Sequence, residues 1–369
     1  MTSIIELLGE VEDTRDQKKV KHPLSTLIFM SICAIFCGAD TWEDIPTWVE
    51  SHLSWLSNYV DISNGVPSYS TIRRMFMLVK TNCWSHIMQQ VVALHQPNKQ
   101  EEDHISVDGK TLRGSKCISK EIKAMQMVSA FSTANSIILS EVTTNSKSNE
   151  ITAIPVLLDL LELEGCTISI DAIACNEKII TKILDKGAHY LIGLKKNQPK
   201  LYAAIEAYAQ TNGAKNKNLV SDYFDDSHGR KTRRRYFTFE LPENIKKLGF
   251  SQLNTVIATE TISDSKYTEG VTAQWRYYIT DHQPDHVKLP NYIRDHWKVE
   301  STHWLLDVHL ADDKNKKYEK IAAENFAKTK RLLLNLVKLN PPKGKKRSIR
   351  SRLKKMSWDL DYFVQILFG

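Results

Sequence analysis

Two aspartates end short runs of strand-forming residues: Asp108 after Ile105-Ser-Val107, and Asp171 after Thr167-Ile-Ser-Ile170. A carboxylate in such a place is costly to desolvate unless it is paired or meets a cation. Two neighbouring strands would set both side by side, and a third acid from a helix laid on the sheet would complete a cluster. Glu300, in the helical pattern Asp295-His-Trp-Lys-Val-Glu300, is the candidate. Oxygen ligands of this kind select hard cations such as Mg²⁺ or Mn²⁺. Two such ions about 3.5–4 Å apart activate a water or a 3′-hydroxyl and stabilise the leaving oxygen in phosphodiester chemistry. Taken singly, each Asp reads as a turn or cap residue. The set, on one strand order, points to chemistry.

His296, Glu300, His303 and Asp307 are spaced by four, three and four residues. They share one side of a helix. The His-Glu-x-x-His order of zinc proteases is absent, so His303 and Asp307 are expected to support the site by orienting substrate or neighbouring groups. Several cations could meet phosphates, although each alone reads equally as a solvated surface charge. They are Lys110 and Arg113 after the first Asp, Lys195 and Lys196 (with Lys200) after a strand on the Asp171 side, His228 and Arg230 in the basic run 228–235, and Arg294 and Lys298 beside Glu300. Lys345, Lys346 and Arg347 open a run, 343–355, that contains no acid. Such a run should bind polyanions with steep salt dependence. Trp297 and Trp304, seven apart, fit a helix's core side; stacking on a flipped base is the other reading.

These residues need elements to hold them. Residues 105–108 alternate and stop at Gly109; 125–131 and 137–142 are β-rich and joined by Ser132-Thr-Ala-Asn135, which suits a hairpin. Helical periodicity over 150–163 precedes a short buried strand, 167–171. A helix over 176–186 ends at Gly187, residues 190–194 form a strand, and Pro199 opens another helix. The order β-β-β-α-β-α-β-α implies an α/β fold with a mixed sheet and helices on its faces. This core, 104–211, is followed by strands at 234–239, 253–261 and 275–280, read as a β-rich insertion over 212–282. A helical part, 283–340, carries Glu300 and completes the core, and 341–369 is a basic tail. Residues 1–95 are helical throughout and form an N-terminal domain, with the apolar stretch 24–36 at its centre. Ser68 or Ser70 can cap a helix over 71–79. Arg73 and Arg74 near its start give the look of a helix-turn-helix, whose second helix meets base edges. A plain bundle with two solvated arginines reads equally well.

The 369 residues, 42% hydrophobic and 25% charged, have ordinary globular composition and length enough for two or three units. The formal charge of +7 fits an anionic partner without requiring one. Six cysteines without metal-site spacing suit a reducing cytoplasm. The longest apolar run, 27–39, is too short for a bilayer core of about 30 Å. No membrane role is expected.

The sequence resembles the H-repeat-associated insertion-sequence transposases, a DDE group with an RNase-H-like catalytic domain. The resemblance runs nearly end to end. It is carried by Lys21-His-Pro-Leu24, Gly38-Ala-Asp-Thr-Trp-Glu-Asp-Ile45, Ile105-Ser-Val-Asp-Gly-Lys-Thr-Leu-Arg113, Lys147-Ser-Asn-Glu-Ile-Thr-Ala-Ile-Pro155 and Ile170-Asp-Ala172. Asn197-Gln198, His228-Gly-Arg230, Ile293-Arg-Asp-His-Trp297 through Glu300, His303-Trp-Leu-Leu-Asp-Val308 and Ala322-Ala-Glu-Asn325 continue it. The resemblance implies that Asp108, Asp171 and Glu300 are the catalytic, metal-binding triad, using Mg²⁺ or Mn²⁺, two ions, and no small-molecule cofactor. It implies cleavage and transfer of strands of double-stranded DNA, at element ends and target. A homodimer on DNA, in the bacterial cytoplasm at the nucleoid, goes with that activity. The β-rich stretch matches the insertion such enzymes carry. The family usually has His four residues after the Glu; here His303 comes three residues after Glu300. On a helix the missing residue turns the downstream side chains by about 100°, so Glu300 and the His303–Asp307 side are expected to part unless a bulge absorbs the change. Ala174 and Lys196 stand where the family has glycines. A relative that binds DNA without cutting it, and a metal-dependent nuclease that does not join ends, are the alternatives.

Overall fold

The structure is a computed structural model that describes residues 4–95, 102–144, 150–227, 230–265, 272–314, 316–342 and 344–369. At its centre is one sheet ordered β3-β2-β1-β4-β5-β9-β8-β7-β6. The strands are β1 His104–Leu112, β2 Met125–Ser132, β3 Ile137–Thr144, β4 Thr167–Ile170, β5 His189–Leu194, β6 Leu219–Ser227, β7 Arg230–Glu240, β8 Thr255–Ser265 and β9 Thr272–Thr280. β1, β4 and β5 are parallel, and the other pairings are antiparallel. The hairpin between β2 and β3 is as the sequence implies. β1 differs: it runs on past Asp108 to Leu112, because its partner β2 continues alongside as far as Met125.

Side chains alternate across a strand. Ile105 and Val107 face one side of the sheet, while His104, Ser106, Asp108 and Lys110 face the other. The first face is covered by α7 Glu150–Asp159, α8 Glu177–Asp185 and α9 Pro199–Tyr208. Leu157, Ile180 and Ile205 pack there on Val107, Ile168 and Ile192. The second face receives α11 Leu289–His296, α12 Lys298–His309 and α13 Lys320–Leu339. Leu289 and Ile293 meet Leu191 and Tyr236; Val299, Leu306 and Leu334 meet Phe131 and Ile138.

The β-rich stretch expected over 212–282 supplies β6–β9. β9 pairs with β5, so β6–β9 extend the same sheet. Strand β6 escapes a sequence reading because Asp222, Asp225 and Asp226 disguise it as a loop. It is an edge strand, where charges are at home.

The N-terminal helices α1 Ile4–Gly9, α2 Leu24–Phe36, α3 Asp44–Ser51, α4 Leu53–Leu56, α5 Tyr69–Leu78 and α6 Thr81–His95 form a second core. They do not close it alone. α13 enters it with Phe326 and Leu333, and α14 Ile349–Trp358 and α15 Leu360–Phe368 seal it with Met356, Phe363 and Ile366. The stretch expected as a basic tail is therefore largely structural: Phe368 stacks on Tyr59 with ring centroids 5.3 Å apart. Lys345, Lys346 and Arg347 remain exposed in the link between α13 and α14. The six cysteines are free thiols. Among the described residues, no helix is long and apolar enough to cross a membrane.

Candidate carboxylate site

Val107 of β1 is in register with Ile170 of β4. The next residues on these parallel strands are Asp108 and Asp171, so the two acids stand side by side where β4 ends. Beyond them, β5 stops at Leu194, opposite Tyr277, while β9 continues outward to Thr272. The step so formed is a cavity of about 420 Å³ lined by Asp108, Asp171 and Glu300 together with Lys195, Lys196 and Trp297. It lies at the carboxyl ends of parallel strands, the usual place for a site in an α/β sheet.

Burial pushes the Asp108 carboxyl up to about 6, and the nearby charges of Glu300, Asp171 and Glu150 add to this against the Gly109 backbone N–H. Glu150 crowds the strand from its other face. A Cβ on Gly109 would lie 2.9 Å from its Oε1, so the approach depends on glycine. Burial also raises Glu300, with Asp171 contributing. At Asp171 burial works upward too, but the Ala172 N–H and the Lys195 ammonium outweigh it and hold the carboxyl below its ordinary value. Lys195 Nζ lies 3.0 Å from both Asp171 oxygens.

Glu300 sits in the first turn of α12, after a break in helical geometry at Trp297. The short spacing to His303 does not part them. Three residues return a helix to about −60° and four to about +40°, so either count keeps both residues on the same side. Without a bulge, α12 lines the cavity with Glu300 and brings His303 Nδ1 to 3.5 Å from Asp108 Oδ2. Burial, with Arg331 and Lys110 nearby, pushes His303 down to about 3, so its ring is neutral. Asp307 accepts a 2.6 Å hydrogen bond from Lys110 Nζ. His296 Nδ1 is 2.8 Å from the Ser169 hydroxyl, one turn before Glu300.

The expected phosphate-binding residues divide. Lys110 is buried and held by Asp307 and, at 3.4 Å, Asp313, so it props the site and does not face solvent. Arg113 is largely exposed, 3.5 Å from Asp313. Lys298 pairs with Asp295 at 2.9 Å. Lys196 and Arg294 are exposed, and Lys195 reaches the rim through its Asp171 contact. His228 lies outside the described residues; Arg230 opens β7. In the N-terminal core, Ser68 caps α5, as expected. Arg73 is tied to Glu319, whereas Arg74 is exposed. The helix before it, α4, has only four residues. Trp297 and Trp304, expected in the core, are 44% and 56% exposed. The helix breaks at Trp297 and its buried side is carried by Val299, Thr302 and Leu306.

Sequence reasoning missed the layer behind the site. Buried Arg331 donates to Glu141 at 2.5 Å and to Asp312 at 3.0 Å. In the sequence these are ordinary helix and strand charges, and no spacing distinguishes them from solvated ones.

Among the described residues, no three His, Cys, Asp or Glu side chains converge closely enough to hold a metal ion as they stand. Asp171 faces Lys195, and Asp108 faces His303. The donor chemistry still fits a hard divalent cation, because carboxylates from three elements line one cavity and burial, with the charge of the neighbouring acids, raises the proton affinity of two of them.

The family model described as "Transposase DDE domain" matches residues 99–336, and the one described as "DDE_Tnp_1-associated" matches residues 5–91. The chain is 36% identical to "Putative transposase YncI" of Escherichia coli O157:H7, across 99% of this chain and 94% of that protein. It is 32% identical to "H repeat-associated putative transposase YhhI" of Escherichia coli K12, across 100% and 98%. A solved chain of a piggyBac transposase synaptic complex with hairpin DNA aligns over 99% of this chain and 77% of its own, at 9% identity and a TM-score of 0.44, a likeness too slight to argue from. On the family match and the near full-length identities, the chain belongs to the transposases of the DDE domain family, with H-repeat-associated transposases among its relatives.

Proposed function

We propose that this transposase cleaves DNA strands at element ends and joins the freed 3′-hydroxyl to target DNA, with Asp108, Asp171 and Glu300 as its catalytic residues. One observation carries the reading: acids from β1, from the end of β4 and from α12 line a single cavity. The strand order β3-β2-β1-β4-β5 supports an RNase-H-like core for that cavity. The three carboxylates would hold Mg²⁺ or Mn²⁺, two ions, which when bound supply an activated oxygen nucleophile and stabilise the leaving oxygen. His303, kept neutral by burial, steadies Asp108 from Nδ1. Asp307 anchors Lys110 and so fixes β1 against α12. Lys195 and Lys196 at the rim offer charge to the phosphates, and Arg74, Arg113, Arg294, Lys345, Lys346 and Arg347 extend that contact over the exposed surface. Double-stranded DNA is the partner, bound by a homodimer in the bacterial cytoplasm.

The test is Mg²⁺- or Mn²⁺-dependent cleavage of a duplex carrying the element's terminal repeats. Wild type should nick it and Asp108→Ala should not. A second reading, a relative that binds DNA without cutting, is favoured by the Lys195 ammonium seated on Asp171. Binding with no cleavage under either metal would select it.

A further inference from the structure

β7 carries Arg233, Arg234 and Arg235 in succession, and strand alternation sends the middle one to the opposite face. Arg233 and Arg235 are neutralised. The first donates to Asp222 at 2.9 and 2.6 Å, the second to Glu260 at 2.5 Å. Arg234 points into a groove of about 410 Å³ that β7, β8 and β9 form with α11. Arg276 of β9 and Arg294 of α11 line the same groove, and no acid does. Among the described residues, none of these three arginines has a carboxylate partner. The contacts they make leave their charge unneutralised. Arg294 lies over the Tyr223 ring at 4.1 Å, Arg276 lies over the exposed Trp297 ring at 5.7 Å, and Arg276 Nη2 bonds Gln274 at 3.3 Å. Thr259, only 5% exposed, lines the groove with a buried hydroxyl that has no partner among the described residues.

The groove is continuous with the carboxylate cavity. Gln274, Arg276, Tyr278, Ile293 and Trp297 line both. Arg234 and Arg276 stand two strands and two residues apart, about 12 Å in backbone position. Unpaired guanidinium groups beside hydroxyls, in a channel free of acids, suit the oxygens of successive phosphodiesters.

We propose that this groove is a phosphate track. It holds the sugar–phosphate backbone of the DNA strand that leads to the carboxylates, with Arg234, Arg276 and Arg294 as its phosphate contacts. The proposal rests on the DNA-cleaving reading and adds where the substrate strand lies. The track explains why the sheet continues past β5: β7–β9 provide the bed that a strand end needs beside the cavity.

The test is the salt dependence of binding of the full-length protein to a fluorescein-labelled DNA duplex, read by anisotropy. Each phosphate contact contributes about 0.9 to the slope of log K against log salt. Replacing all three arginines with glutamine should lower the slope magnitude by about 2.7, and replacing them with lysine should restore it. Arg234→Gln alone should lower it by about 0.9, while the adjacent Arg233→Gln should leave it as in wild type. Matching circular dichroism and thermal midpoints would exclude misfolding. An unchanged slope in the triple glutamine variant overturns the proposal. So does an equal loss in Arg233→Gln, which would mean only a general charge effect. If wild type binds DNA but cuts nothing with either metal while the slopes change as expected, the track stands and the cleavage reading alone falls.

Discussion

At Asp108 the structure sets two effects against each other. The carboxyl titrates near 6 in the folded chain, above its ordinary 3.8. Between these values the folded state holds a proton that the unfolded state has lost, so this group makes stability fall as pH rises from about 4 to 6. At about 1.4 kcal/mol per unit, the cost above pH 6 is of order 3 kcal/mol without a cation to offset it. Asp108→Asn should therefore raise the melting temperature at pH 7.5 in EDTA, with the gain gone below pH 4. Thermal melts over that range check it, and no gain at pH 7.5 would contradict the placement. His303 has the opposite sign. Its folded value of about 3 against 6.5 means that stability is lost as pH falls below 6.5, so His303→Gln should make the protein less sensitive to acid in the same melts. Asp108 and Asp171 were legible in the sequence because an acid ending an apolar run is anomalous. Lys110 was legible as a cation but misread in role, since only the packed structure brings Asp307 of a distant helix within 2.6 Å.

Among the elements, α12 and α13 decide most. That Asp108 and Asp171 end neighbouring strands was expected from the sequence, whereas the register of Val107 with Ile170 comes from the packed sheet. The placing of Glu300 was readable only as a helix position, because the break at Trp297 leaves no Gly or Pro signal. One residue fewer after Glu300 looked disruptive when counted as a rotation, yet a helix tolerates i+3 and i+4 on the same side. α13 is buried from Ala322 to Val337 because it serves both cores. Its Arg331 lies between Glu141 and Asp312. Arg331→Ala would leave two buried carboxylates without their cation. A loss of about 3–5 kcal/mol is expected by urea denaturation, and a change under about 1 kcal/mol would show that the pairing is not as described.

Across the whole molecule, the end of the chain closes the core that its beginning opens. The positive charge of 343–355 hid this, because basic composition marks a surface and says nothing of the apolar side behind it. Phe363 is fully buried against the N-terminal helices. Phe363→Ala should cost about 3–5 kcal/mol, measurable in the same denaturation series, whereas a free tail would give no change. Long-range packing of this kind, like the joining of β9 to β5, is invisible to local periodicity. The central claim is that acids from three elements form one cation site. Anomalous diffraction from crystals grown with Mn²⁺ and a DNA end tests it most directly. Mn²⁺ peaks in the cavity lined by Asp108, Asp171 and Glu300, with Lys195 moved off Asp171, are expected. Ordered carboxylates with no peak between them, and Lys195 still seated on Asp171, would contradict it.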